Sequence, residues 1–341
     1  MTMHVGLIGG GNISETHARA INAIPDAKLS AVFGNNADKV QRLCREYGAS
    51  PYDQFDRFLN HRPMEFVAIG SPSGLHATHG IAAAQHGLHV LTEKPIDIST
   101  ARADELIESA EKAGVKLAVM FQDRFKPDIR RLRQWIAEGV IGEPLLIDAR
   151  VKWYRPPSYY GDSKWRGTLN LDGGGALINQ AIHTVDLLLW LFGDVIRVQA
   201  QTATMLHRIE GEDLATALLT FANGARGSLQ ASTAAFPGYP RRIEVTGTEG
   251  TVLLEHDSII AADLKNAPAH VSANPPSRDA ENVSTPVVSD FSGHKAIFED
   301  FIRAIQTGSD PACDGREGRR SLALVEQIYK AAKIANNNAA C

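Results

Sequence analysis

Two short stretches hold residues whose types and spacing could do chemistry. The first is Leu7-Ile8-Gly9-Gly10-Gly11-Asn12-Ile13-Ser14. Gly9 and Gly11 match the first two glycines of G-x-G-x-x-G, where one permits a tight turn and the other lets a pyrophosphate approach a helix N-terminus opened by Asn12 and Ile13. Ser14 takes the third-glycine position, where a small residue still allows helix–strand packing. The second stretch is Leu91-Thr-Glu93-Lys94-Pro95-Ile-Asp97, which places a glutamate, a lysine and a proline at the end of the apolar run His89–Leu91. An ammonium fixed beside a proline where a parallel sheet opens onto solvent is an unusual use of residues for packing alone.

A site for NAD usually places an acid about 20 residues beyond the glycine turn, on the ribose hydroxyls. That distance reaches Gly34, in Val32-Phe33-Gly34-Asn35-Asn36, with no carboxylate. A 2′-phosphate would meet no repulsion there, and Asn35, Asn36 or Lys39 could donate to it. The reading therefore leans to NADP, although no arginine clamp accompanies it and Asp38 is near. Metal chemistry is not expected. His76/His79 and His183/Asp186 have pairwise spacing only, with no third ligand, and the three cysteines form no C-x-x-C.

The elements that must position these residues come in two styles. Up to about residue 122, β-like runs at Val5–Ile8, Leu29–Phe33, Phe66–Ile69, His89–Leu91 and Lys116–Met120 alternate with helical patterns at Ser14–Ile24, Ala37–Tyr47, His76–His86 and Thr100–Ala113. That rhythm predicts βαβ units on a parallel sheet. Beyond it, a helix near Lys126–Glu138 leads to a strand near Leu145–Trp153, an aromatic loop Tyr154–Trp165 and a helix near Ala176–Leu191. Strand-like runs follow at Val195–Thr204, Asp213–Phe221, Ala225–Ala234, Arg242–Thr246 and Thr251–Leu254, with turns at Asn223-Gly224 and Glu249-Gly250. The fold class expected is α/β: an N-terminal Rossmann domain with a parallel sheet over residues 1–122, then an α/β domain on an open, mostly antiparallel sheet over 123–341. Helices Lys295–Gln306 and Arg319–Ala335 close the chain and are free to pack back on the first domain. Residues 265–292 read as a long loop or flap.

Length and composition agree with this plan. The 341 residues are 44% hydrophobic and 22% charged with net charge −4, so neither nucleic acid nor an anionic membrane is expected as a partner. No apolar run approaches the ~20 residues of a membrane helix. The scattered cysteines and the absence of a leader-like N-terminus imply a cytoplasmic protein.

Four motifs in order resemble the Gfo/Idh/MocA family of sugar and polyol oxidoreductases. They are the glycine turn, Ser71-Pro72-Ser73-Gly74-Leu75-His76, Glu93-Lys94-Pro95, and Gly173-Gly174-Gly175 followed by His183-Thr184-Val185-Asp186. The resemblance implies hydride transfer between a nicotinamide and a carbon of a sugar, an inositol-like polyol or a nucleotide-linked sugar. It also implies a homodimer or homotetramer formed through the C-terminal sheet. Ser71, Pro72 and His76 would lie by the cofactor. Glu93, Lys94, Gln122 and Arg124 would lie at its nicotinamide end, with Arg124 within reach of substrate, and Trp165-Arg166 would reach towards the nicotinamide. A cis Lys94–Pro95 bond is expected.

Oxidising a secondary alcohol needs a base for the hydroxyl proton while hydride leaves the carbon. The candidates are His183 and Lys94, sharing the work, with His183 favoured as base. Relatives commonly place an aspartate one helical turn before this histidine, whereas this chain has Asn179. An amide cannot stabilise an imidazolium as a carboxylate does, so Asn179 is assigned to substrate hydroxyls or to orienting His183. The loop residues Tyr154, Arg155 and Tyr159 offer aromatic faces and a cation suited to a sugar or a nucleotide-linked sugar. Two alternatives remain: glycoside cleavage through transient oxidation by tightly held NAD, and a non-catalytic NAD(P)-binding sensor.

Overall fold

The computed structural model describes residues 2–266 and 290–339. Of the stretch read as a loop or flap, residues 267–289 lie outside the described residues, as does Cys341. The chain divides into two compact units, one of residues 1–122 and 287–322, the other of residues 123–286 and 323–341.

The first unit carries strands β1 (Met3–Ile8), β2 (Ala27–Phe33), β3 (Ser50–Tyr52), β4 (Phe66–Ile69), β5 (His89–Thr92) and β6 (Leu117–Val119). All pairings are parallel and the spatial order is β3-β2-β1-β4-β5-β6. Connecting them are α1 (Asn12–Asn22), α2 (Ala37–Tyr47), α3 (Phe55–Leu59), α4 (His76–Gln85) and α5 (Thr100–Ala113). Strand β4 is buried throughout, Phe66-Val-Ala-Ile69, because helices cover both faces of a parallel sheet. Gly48 and Gly114 end α2 and α5 at φ +69° and +68°, the left-handed conformation a helix C-cap favours. The short β3 and α3 are additions to the predicted elements; three and five residues leave too little periodicity to read.

The second unit contains α6 (Pro127–Ala137), β7 (Pro144–Lys152), α7 (Pro157–Gly161), a π-helical turn Ala176–Ala181, α8 (Ile182–Phe192), β8 (Val195–Ala203), β9 (Leu214–Phe221), β10 (Arg226–Ser232), β11 (Arg242–Gly247), β12 (Gly250–Glu255) and β13 (Ser258–Leu264). Its sheet runs β13-β12-β11-β7-β10-β9-β8 and is antiparallel except where β7 meets β10. Burial alternates along β9, with Ala215, Ala217, Leu219 and Phe221 inward and Leu218 outward, so one face of the sheet is open. Strand β13 was not predicted. His256-Asp257 makes its turn with φ +49° and +65°, a two-residue turn built without the glycine that usually announces one.

Helix α9 (Ser292–Thr307) belongs to the first unit, and α10 (Gly315–Ala339) contributes to both. Phe298 and Phe301 of α9 are fully buried, with Phe301 edge-on to Phe66 at 5.3 Å between ring centres. The far C-terminal part of the chain thereby completes the core of the N-terminal sheet.

Candidate active site

In the first unit, the strand order reverses between β1 and β4, and ligands of open α/β sheets bind beyond the carboxyl ends of strands at such a switch point. The β1–α1 turn lies there. Gly9 has φ +132°, and a Cβ on it would stand 2.7 Å from the Gly70 oxygen and 2.8 Å from Ser14 Oγ, so no other residue fits. A Cβ on Gly11 would meet nothing within 4 Å; Gly11 is the N-cap of α1, with open space where a pyrophosphate would approach. Ser14 is fully buried, packed against this turn as a third glycine would be. At the end of β2, a Cβ on Gly34 would press on Val40 Cγ2 at 3.1 Å and on the Gly9 carbonyl carbon at 3.3 Å. Asn35 and Asn36 are exposed, and Asn36 caps α2 by accepting the Lys39 amide at 3.0 Å. These residues fit the diphosphate and ribose of a dinucleotide.

The Glu93-Lys94-Pro95 segment leaves β5 beside this turn, and three anchors hold it. Glu93 accepts from His17 Nε2 of α1 at 2.9 Å and from the Lys94 amide at 3.2 Å, while His294 Nε2 of α9 lies 3.8 Å away. Burial opposes the Glu93 charge, yet the His17 hydrogen bond and the charges of His17, His294 and Lys94 outweigh it and hold the carboxyl down to about 2. His76 sets Nδ1 at 2.7 Å from the Pro95 oxygen and Nε2 at 2.9 Å from the Ser71 oxygen. Asp97 accepts the Ala77 amide in the first turn of α4 at 2.9 Å. The Lys94–Pro95 bond is cis, as expected. Lys94 itself is half-buried. His17 and His294 were missed in the sequence because nothing in their spacing marks residues 76 and 201 positions from Glu93.

The structure places several predicted residues in supporting contacts. His76 is 1% exposed with both ring nitrogens against backbone carbonyls, and Glu93 is likewise buried. Ser71 Oγ meets His79 Nδ1 at 3.0 Å, and burial, then the nearby His76, pushes His79 down to about 4. Pro72 leads the short 3-10 turn Ser73–Leu75, and Gln122 is half-buried with Gly293 of α9 packed on its stem.

In the second unit, the bend of Gly173-Gly-Gly175 leads into the π-helical turn that precedes His183. Glu212 holds that turn: it accepts the Leu177 amide at 2.7 Å, the Gly175 amide at 3.2 Å and the Tyr329 hydroxyl at 3.1 Å. A Cβ on Gly175 would lie 1.8 Å from the Glu212 backbone oxygen, so the third glycine serves close packing here. Asn179 donates to Asp172 Oδ1 at 2.5 Å and accepts from Gln180 Nε2 at 2.8 Å. Gln180 in turn donates to the Tyr159 hydroxyl at 2.9 Å and accepts from Arg155 at 2.9 Å. Arg155 and Arg166 both lie over the Tyr159 ring, 5.4 and 4.2 Å from its centre, and Arg166 is also 5.6 Å from the Trp165 ring. Tyr154 sits edge-on to the exposed Phe236 at 5.2 Å. Arg124 is 2% exposed and forks onto Asp186 at 2.8 and 2.6 Å. The half-buried His183 presents Nδ1 3.7 Å from Asp123 Oδ2. That aspartate was missed because it lies 60 residues from the histidine.

Comparison with known proteins identifies this architecture. Residues 3–121 match the oxidoreductase family with NAD-binding Rossmann fold, and residues 129–253 match the GFO/IDH/MocA C-terminal domain. The WlbA dehydrogenase of Bordetella pertussis, solved with NADH and UDP-GlcNAcA, is 32% identical over 98% of this chain and 97% of its own, with a TM-score of 0.87. The chain belongs to the GFO/IDH/MocA oxidoreductase family. Among curated members, inositol 2-dehydrogenase of Rhizobium meliloti is 28% identical over 97% of both chains. D-apiose dehydrogenase of Paraburkholderia graminis is 27% identical over 96% of this chain and 87% of its own. Within this GFO/IDH/MocA chain the glycine turn and the anchored lysine fall at the carboxyl edge of one sheet, where the family's NAD-binding fold takes its cofactor. Among the described residues, no helix is long and apolar enough to cross a membrane.

Proposed function

We propose that this protein is an NAD(P)-dependent dehydrogenase or reductase that moves hydride between a nicotinamide and a secondary alcohol or carbonyl of a sugar, an inositol-like polyol or a nucleotide-linked sugar. The observation that carries this reading is Lys94, anchored through Glu93, Pro95 and Asp97 at the carboxyl end of β5, two strands from the Gly9–Gly11 turn in the same parallel sheet. The relatives' names supply the substrate class, since they act on inositol and D-apiose or were solved with UDP-GlcNAcA.

Gly9, Gly11, Asn12 and Ile13 would receive the pyrophosphate, and Ser71 and Pro72 would border the cofactor. A nicotinamide held there would supply the acceptor for the hydride that leaves the substrate carbon. Lys94 and His183 share the proton handling, with His183 Nε2 the favoured acceptor of the hydroxyl proton, and the reverse order of events reduces the carbonyl. Tyr154, Arg155, Tyr159 and Asn179 form the substrate side. Gly34 supports NADP, because a side chain there would press on Val40 and no carboxylate stands against a 2′-phosphate. The open face of the second sheet, with Leu146 and Leu218 exposed, supports a homodimer or homotetramer, and the compartment proposed is the cytoplasm.

A panel of polyols, sugars and nucleotide sugars, read by nicotinamide absorbance with NAD and NADP separately, tests the assignment. Turnover of at least one member, with higher kcat/KM for NADP, is expected. Absence of net cofactor reduction across the panel, together with cofactor retained through purification, would replace it with transient-oxidation chemistry.

A further inference from the structure

We propose that Asp123 is a positioning residue for His183, supplying through space the carboxylate that Asn179 does not. The inference rests on the reading of His183 as proton carrier. Its observations all lie in the second unit and come from three separate elements.

The Asn179 side chain already bonds Asp172 and Gln180, so it is held away from the part an aspartate plays one turn before a catalytic histidine. Asp123 instead comes from the 3-10 turn Gln122–Phe125 ahead of α6. Two parallel rungs join this turn to α8. Arg124 forks onto Asp186, both almost fully buried, and one residue earlier Asp123 Oδ2 faces His183 Nδ1 at 3.7 Å. The buried bidentate pair fixes the turn's height along the helix, and the three-residue step from His183 to Asp186 brings both rungs to one helix face. At 3.7 Å the coupling is by charge and not by a hydrogen bond.

The same Asp123 oxygen receives Arg241 Nη1 at 2.6 Å, and Arg241 also pairs with Asp257 in the β12–β13 turn. Burial works against the Asp123 charge, and Arg241, His183 and Lys126 overcome it, holding the carboxyl well below the usual carboxylate range. The groups facing the dyad are therefore Arg241, Asp257, Lys126 and the Arg124–Asp186 pair. An ionised carboxylate beside Nδ1 stabilises the imidazolium and keeps the proton on that nitrogen. Nε2 is left as the acceptor for the substrate proton. Arg241 tempers this field, since part of the Asp123 charge is already neutralised.

The test is the pH profile of kcat/KM together with the NMR titration of the His183 ring. In Asp123→Asn both the acid limb and the ring midpoint are expected to move about one unit to lower pH, with the plateau rate down by about 10- to 100-fold. Asp123→Glu restores the limb, and Arg241→Gln moves it to higher pH by unmasking the carboxylate. A limb and midpoint that stay in place in Asp123→Asn overturn the proposal. If that variant does not fold, the parent decides the matter: the Asp123 carboxyl carbon must inflect at the His183 midpoint, and a flat trace there overturns the proposal equally. Should His183→Ala retain turnover, the base assignment fails, while the NMR midpoint still reports independently on the Asp123–His183 coupling.

Discussion

The anchor of Lys94 makes a quantitative prediction. Glu93→Gln keeps the size and one acceptor of the side chain but removes the charge that His17 and His294 face inside the first unit. In the parent the Glu93 carboxyl is held down from 4.5 to about 2, which at 1.36 kcal/mol per unit corresponds to about 3 kcal/mol of stability at neutral pH. The sign follows from the depressed value. The contribution is complete above the unfolded-state value near 4.5 and is lost as pH falls towards 2. Hydrogen exchange of α1 and β5 amides in urea, followed at pH 7, 5, 4 and 3, reads the first unit without requiring both units to unfold together. The parent is expected to lose stability steeply below pH 5, whereas Glu93→Gln starts about 3 kcal/mol lower at pH 7 and shows a shallower slope. Turnover should fall further than cofactor affinity, because the loosened segment carries Lys94 and not the glycine turn. Parallel pH slopes in the two proteins would refute the account of Glu93 as a buried, charge-held anchor.

Three further outcomes follow from single contacts. Gly9→Ala places a Cβ within 2.7 Å of the Gly70 oxygen at a φ of +132°, so cofactor affinity measured by nicotinamide fluorescence should drop at least about tenfold. Arg124→Met strands the buried Asp186 carboxylate and should cost about 3–5 kcal/mol in urea unfolding of the second unit. Burial raises Glu212 above its ordinary value, despite the amides of Leu177 and Gly175 and the Tyr329 hydroxyl that hold it. Its contribution is therefore full at acid pH and fades as pH rises, so Glu212→Gln should flatten the decline of melting temperature as pH rises above the ordinary carboxyl range.

Local and periodic signals made much of the protein legible in its sequence. Strand–helix alternation gave the parallel sheet, and Asn223-Gly224 marked a hairpin in the second sheet. The glycine turn was legible because Gly9 answers a steric demand that no other residue meets. Elements with weak local signals were not readable: β3 is three residues long, β13 follows a turn without glycine, and a helical pattern over 176–191 gives no sign that its first turn is π-helical. The sequence by itself determined the fold class, the family and the segment on which Lys94 stands, since each depends on neighbours along the chain. Only the tertiary structure decided what holds those residues. Glu93 meets His17 and His294, Arg124 turns to Asp186, and Asp123 comes to His183. Side chains 60 to about 200 residues apart become partners when burial makes an unpaired charge costly, and spacing along the chain carries no record of that requirement.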